Sequence, residues 1–145
     1  MSTIIVLAEQ YEGQLVGGTL SAISAAKILA EKVGGGFDVA VAGSGIDGVA
    51  STLAGYGANT VYQLEDATLA GYTAQAYAQA FHSAVTASGA QFVVGAATAR
   101  GKDCLPRVAA RLGAGQASDI ISINGDAGNL TYTRPMWAGN VLGEV

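Results

Sequence analysis

This sequence is poor in the residues that usually announce chemistry. It has one cysteine, Cys104, and one histidine, His82. A lone cysteine excludes a disulfide framework and a cysteine cluster for a metal, so a reducing compartment is expected. Charge is also scarce. Only 12% of residues are charged and the formal net charge is −4, against a usual charged fraction of ~25%. No basic excess asks for nucleic acid or an anionic membrane. No apolar run reaches the ~18 residues of a membrane span, and the start, "MSTIIVLAEQYEG", lacks the basic segment of a signal peptide. A cytoplasmic location is the expectation.

Small and apolar residues take the vacated places. Half of the 145 residues are hydrophobic and 21 are glycine. That length suits one domain over 1–145, which can bury roughly 68–70% of its unfolded surface. Low charge with abundant Ala and Gly suggests tightly packed elements and a weakly charged surface that another body partly covers.

The pattern along the chain alternates strand and helix. "TIIVLAE" (3–9) is a β-branched run without alternation, as in a strand covered on both faces. After a loop over 11–18, Thr19 is placed as N-cap of a helix with Ala22, Ala26, Leu29 and Val33 on its apolar face. Glycines 34–36 stop it. Strands are expected at 37–43, 59–65 and 90–97, a short helix near 48–55, and a long helix over 73–88 with Tyr77, Phe81, Ala84 and Val85 inward. Asp103 is placed as cap of a last helix whose inner face carries Leu105, Val108, Ala109 and Leu112. Cys104 and Pro106 then fall in its first turn, where a proline costs few hydrogen bonds and the helix dipole can lower a thiol's pKa. After Gly113 the chain reads as strands joined by turns, with no room for crossover helices. The expected fold is α/β: a parallel sheet with helices on both faces, extended by antiparallel or edge strands. The final "VLGEV" stops in a strand pattern, which suggests a truncated chain.

Two glycine motifs invite a nucleotide reading. "GAATARGKD" (95–103) has five residues between its glycines where a P-loop has four, and Asp103 where Ser or Thr must hold magnesium. A carboxylate there would repel phosphate. "GSGIDG" (43–48) matches a dinucleotide fingerprint formally, with Glu65 or Asp66 as the acid some 20 residues later. It follows the second strand, and in so glycine-rich a chain an ordinary turn explains it. His82 lies one residue off its helix's apolar stripe and has no second histidine to complete a metal site. Arg107 and Arg111 share the outer face of the last helix. Trp137 with Arg134 has the composition of an interface anchor.

Several stretches together resemble one family, the N-terminal domain of the electron transfer flavoprotein alpha subunit. They are "IIVLAE" at the start, "TLSAISAAKILA" (19–30), "DVAVAGS" (38–44), "ATARGKDCLPRVAARLG" (97–113), "SDI" (118–120) and "TRPMWAGNVLGEV" (133–145). The resemblance implies a Rossmann-like sheet of adenine nucleotide alpha-hydrolase type, ordered 3-2-1-4-5. It implies one half of an alpha–beta heterodimer that carries electrons on FAD from dehydrogenases, such as the acyl-CoA dehydrogenases of fatty acid β-oxidation, to a quinone oxidoreductase or another acceptor. The protein would be a carrier, not an enzyme. FAD would be held by a C-terminal domain absent from these 145 residues, so no catalytic, metal or flavin-binding residue is expected in this chain. Thr98, Gly101 and Lys102 are then crevice candidates, and Arg107, Arg134 and Trp137 are candidates for docking the beta subunit. An alternative of another class is a stand-alone adenine-nucleotide-binding module of universal-stress-protein type. Its crevice would be lined by the loops at 13–18 and 98–102, between the first and fourth strands.

Overall fold

A computed structural model describes residues 2–145. Four parallel strands form the central sheet: β1 (Ser2–Ala8), β4 (Gly36–Gly43), β5 (Val61–Glu65) and β6 (Phe92–Gly95). Their order is β5-β4-β1-β6. The chain builds outward on one side of β1, then returns to add β6 on the other. Numbered by parallel strand, this is 3-2-1-4. The fifth place of the expected order has no occupant among the described residues, so β6 is an edge.

Strand periodicity divides the core into two faces. Ile4, Val6, Val39 and Val41 point to one side, where α1 (Gly18–Val33) and α2 (Asp47–Ala54) bring Ala22, Ile23, Ala26, Leu29, Val49 and Leu53. Ile5, Leu7, Ala40 and Ala42 point to the other, where α3 (Ala74–Ser88) brings Tyr77, Phe81, Ala84 and Val85, and α4 (Ala99–Leu112) brings Cys104 and Val108. Tyr72, Tyr77 and Phe81 meet edge to face, with centroids 5.1 and 6.3 Å apart, the arrangement favoured by ring quadrupoles.

The helix ends carry their own signals, though not all where the sequence placed them. Thr73 caps α3 by accepting from Ala76 N–H, and Gly89 ends it in the left-handed conformation. Thr19 is not a cap. It sits one residue inside α1, fully buried, and its hydroxyl oxygen accepts from Glu9 N–H at 2.9 Å. Helix α4 starts at Ala99 with Thr98 as its N-cap, five residues earlier than a cap at Asp103 implies. Asp103 instead accepts the Tyr72 hydroxyl at 2.8 Å. Pro106 therefore lies well inside α4, where its missing N–H and its ring cost a helical hydrogen bond.

Gly101 explains the early start. A Cβ there would lie 1.9 Å from the carbonyl oxygen of Ala96. Only glycine lets the first turn of α4 lie against the loop that leaves β6.

The segment expected to be a plain loop at 11–18 contains a two-stranded hairpin, β2 (Gln10–Tyr11) with β3 (Gln14–Leu15), and a 3-10 turn spans Ala67–Leu69. Beyond Gly113, β7 (Ser122–Asn124), β8 (Thr131–Met136) and β9 (Val141–Glu144) form a separate antiparallel sheet in the order β7-β8-β9. Lys32 of α1 donates to Gly125 C=O at 2.9 Å and links this sheet to the body.

Candidate functional site

In an open α/β sheet, ligands bind beyond the carboxyl ends of the strands where the strand order reverses. Here that point lies between β1 and β6. Glu9 and Gln10 follow β1, and Ala96, Ala97 and Thr98 follow β6 to the N-terminus of α4. A helix N-terminus with a hydroxyl cap is a ready anion site.

The chain fills this place with its own side chains. The Thr98 hydroxyl donates to the Glu9 carboxylate, and Thr98 Oγ1 accepts from Gly101 N–H at 3.0 Å. Arg100 Nη1 donates to Gln10 C=O at 3.0 Å, and its guanidinium lies 4.6 Å from the centroid of the Tyr72 ring. Gly18 presses α1 against the same loop, since a Cβ there would stand 3.1 Å from Ala96 Cβ. What remains is a cavity of about 20 Å³, lined by Glu9, Tyr72, Tyr77, Phe81 and Arg100 among others. That is room for one water, and Glu9 sets a negative charge where a phosphate would come.

Two groups beside the crevice are held neutral. Burial, aided by the hydrogen bond to Asp103, pushes the Tyr72 hydroxyl up. Burial, then the charge of Asp103, pushes the Cys104 thiol up to about 11. Cys104 is thus a buried filler in the second turn of α4, not a thiol activated at a helix start.

The "GSGIDG" loop is likewise self-satisfied. Glu65 accepts from Gly45 N–H at 2.5 Å and Ile46 N–H at 3.1 Å. These backbone hydrogen bonds hold its carboxyl below the usual range. Asp66 accepts from Thr68 N–H at 2.8 Å and caps the 3-10 turn. Neither acid is free to read a ribose, and the loop's amides already hold an anion of the chain's own making.

Of the three crevice candidates, Thr98 and Gly101 meet at the cap of α4. Lys102 turns away and pairs with Asp119 at 3.3 Å, both about half exposed, a contact of little energetic weight. The interface candidates are spread more widely. Arg107 is exposed on α4, and Arg134 is half-buried on β8 with its Nε unpartnered. Trp137 is on no strand. It sits at the tip between β8 and β9, 78% exposed, with φ of 56°, next to Ala138 at 54°. His82 is half-buried on α3. Among the described residues no cluster of His, Cys, Asp and Glu could hold a metal, and no helix is long and apolar enough to cross a membrane.

Sequence reasoning missed Glu9, and it offered Glu65 as a reader of ribose where the structure makes it the anion that fills its own loop; these are the two carboxylates that close the anion sites. Their partners are 89 and 19–20 residues away in sequence, a separation no local motif expresses. It also missed a cleft of about 600 Å³ beside the free edge of β6, between α1, α4 and the antiparallel sheet.

Comparison with known proteins does not favour the nucleotide-module alternative. The chain is 35% identical over 143 residues to electron transfer flavoprotein subunit alpha of Bacillus subtilis (strain 168), which covers 98% of this chain and 43% of that protein. It is 33% identical over 148 residues to the same-named subunit of Megasphaera elsdenii, again 98% of this chain and 43% of the relative. It is 28% identical over 166 residues to the acryloyl-CoA reductase electron transfer subunit beta of Anaerotignum propionicum, 98% of this chain and 45% of that one. The chain thus spans less than half the length of these relatives. The model of the electron transfer flavoprotein domain matches residues 4–145, and the chain belongs to the electron transfer flavoprotein family.

Proposed function

We propose that this chain is the scaffold domain of the alpha subunit of an electron transfer flavoprotein, and that it works through its surface. The observation that carries this is a contrast. The switch-point crevice is closed by Glu9, Thr98 and Arg100, while apolar surface is concentrated on the antiparallel sheet. A carrier of this kind needs no general base or nucleophile, because the flavin supplies the redox chemistry and protein positions it. FAD is held by polypeptide outside these residues. In the cell the complex works in the cytoplasm. It takes electrons from dehydrogenases, including acyl-CoA dehydrogenases, and delivers them to a quinone oxidoreductase or another acceptor. The name of the Anaerotignum propionicum relative favours a second route, in which a reductase of a CoA ester is the acceptor.

The docking face for the beta subunit is the sheet β7–β9, with Trp137 at its tip and Arg134 beneath. A Trp standing 78% clear of its own domain does little for that domain's packing, whereas a Trp anchor at an interface centre is worth ~2 kcal/mol or more on truncation. In the intact alpha–beta complex, Trp137→Ala should weaken subunit association about 30-fold or more and leave the melting temperature of the separate domain nearly unchanged. Lys102→Ala should change neither. Undiminished association in Trp137→Ala, measured by titration calorimetry, would remove the docking role from this tip.

A further inference from the structure

Among the described residues, Arg134 Nε is the only buried side-chain nitrogen or oxygen without a hydrogen bond. Native proteins leave few such atoms unpaired, and a charged donor shut away from water without an acceptor is costly to its own domain. The position of this one says what would complete it.

The register of the antiparallel sheet fixes its surroundings. Arg134 lies opposite Gly143, and Met136 opposite Val141. Residues two apart in a strand share a face, so Tyr132, Arg134 and Met136 form one row. The inner end of the row leans on the body, with Tyr132 opposite Ile123, which packs against the core. The outer end is open. Met136 is 38% exposed and Val141 51%, and Trp137 follows directly. Arg134 stands between the two ends. Across from it Gly143 offers no side chain, and the Met136 thioether takes that place, since a Cβ on Gly143 would collide with Met136 Sδ. The rest of this face is therefore uncharged. Glu144, the only acid on the three strands, belongs to the opposite face, where it accepts the Thr131 hydroxyl.

We propose that Arg134 sets the specificity of the docking face by holding one carboxylate of the beta subunit through its Nε–H and an Nη–H. The inference rests on the docking reading above. The beta subunit is the occupant because the row is continuous with Trp137, so a body that covers the tip also closes over Met136, Val141 and Arg134. A carboxylate is the acceptor because its two oxygens match the fork of a guanidinium. A positive group enclosed in an uncharged face also requires an opposite charge. The same enclosure penalises wrong partners. A subunit presenting an apolar or basic group there would leave Arg134 buried and unpaired.

The test uses the intact alpha–beta complex and the separate chain side by side. Arg134→Met keeps an unbranched apolar stem and removes the donors. It should weaken subunit association about 30-fold or more and leave the melting temperature of the separate chain unchanged or raised. Arg134→Lys keeps the charge but lacks the fork, and should still weaken association about tenfold. Full association in Arg134→Met would overturn the proposal; if Trp137→Ala still weakens binding, the docking reading stands without it. Full association in both variants would remove the docking reading as well. A lower melting temperature of the separate Arg134→Met chain would make the residue structural and overturn the proposal, as would Arg134→Lys binding as well as arginine. The acceptor is found by double-mutant cycles between Arg134→Met and single Asp→Asn or Glu→Gln changes. One acid of the beta subunit should couple by about tenfold or more. Coupling to no acid, or to an acid of the alpha chain, would overturn the assignment.

Discussion

The α/β body and the antiparallel sheet after it solve burial in opposite ways. Among the described residues, the buried hydrophobic core runs from Ile4 to Val108 and includes no member of β7, β8 or β9. The large exposed hydrophobics show the reverse. Six of the nine, Ile121, Met136, Trp137, Val141, Leu142 and Val145, fall in the last 25 positions. The body covers its central strands with helices on both faces and fills its anion sites with Glu9 and Glu65. The sheet has three short strands and no helix of its own. Its inner contacts, Ile123 and Leu130, only lean on the body's core. A region that cannot bury its apolar residues by itself is built to be covered, and this contrast carries the functional proposal.

The contrast can be broken by substitution. Val108 is 1% exposed on the inner face of α4. Val108→Asp puts an unpaired charge in the body's core and should cost about 3 kcal/mol or more. An unchanged denaturation midpoint would show that α4 does not bury this face. Gly101→Ala should cost about 2–3 kcal/mol, because its Cβ would collide with a backbone oxygen and push α4 from the sheet. Calorimetric melting of this variant beside Gly48→Ala, where nothing stands within 4 Å, separates steric closeness from helix propensity.

In the antiparallel sheet the sign should reverse. Trp137 holds a left-handed backbone that disfavours a side chain, and its exposed ring contributes little packing. Trp137→Gly should therefore stabilise the isolated chain by about 0.5–1 kcal/mol while weakening association in the complex. A loss of stability in urea titration would mean that the tip packs on its own domain after all.

The smallest effect concerns pH. Backbone hydrogen bonds from Gly45 and Ile46 lower the folded pKa of Glu65 below 4.5. Its stabilising contribution is therefore present above that pH and is lost as pH falls through the folded value. Glu65→Gln should make unfolding less sensitive to acid below about pH 4.5. Equal acid slopes in the two proteins would show that the loop amides do not depend on this charge.

Much of the body was legible because its signals are local. The apolar faces of α1 and α3, the glycines after α1 and the unalternating β1 all follow from chain periodicity, and Ala22, Ala26, Leu29, Tyr77, Phe81, Ala84 and Val85 lie inward as read. Val33 is packed against the same core but only half-buried. The start of α4 is misread from the sequence because Asp103 is a cap residue by type, whereas the cap is Thr98 and the missing Cβ of Gly101 is what allows α4 to begin at Ala99. Thr19 was misread as a cap because a hydroxyl beside glycines is a cap signal. Its partner, Glu9, is ten residues away, across the β2–β3 hairpin. The turn at Trp137 is not legible beforehand, since three successive left-handed residues, Trp137, Ala138 and Gly139, leave little local trace when two of them are not glycine.

The sequence by itself determined the α/β class, the two-faced core and the membership of a family, because periodicity and a long motif survive without coordinates. Only the tertiary structure decided that the crevice is closed, that β6 is an open edge and that Trp137 stands free. Each of these depends on groups far apart in the chain that meet, or fail to meet, in space. A carboxylate at position 9 neutralises the anion site at position 98 only once β1 and β6 lie side by side.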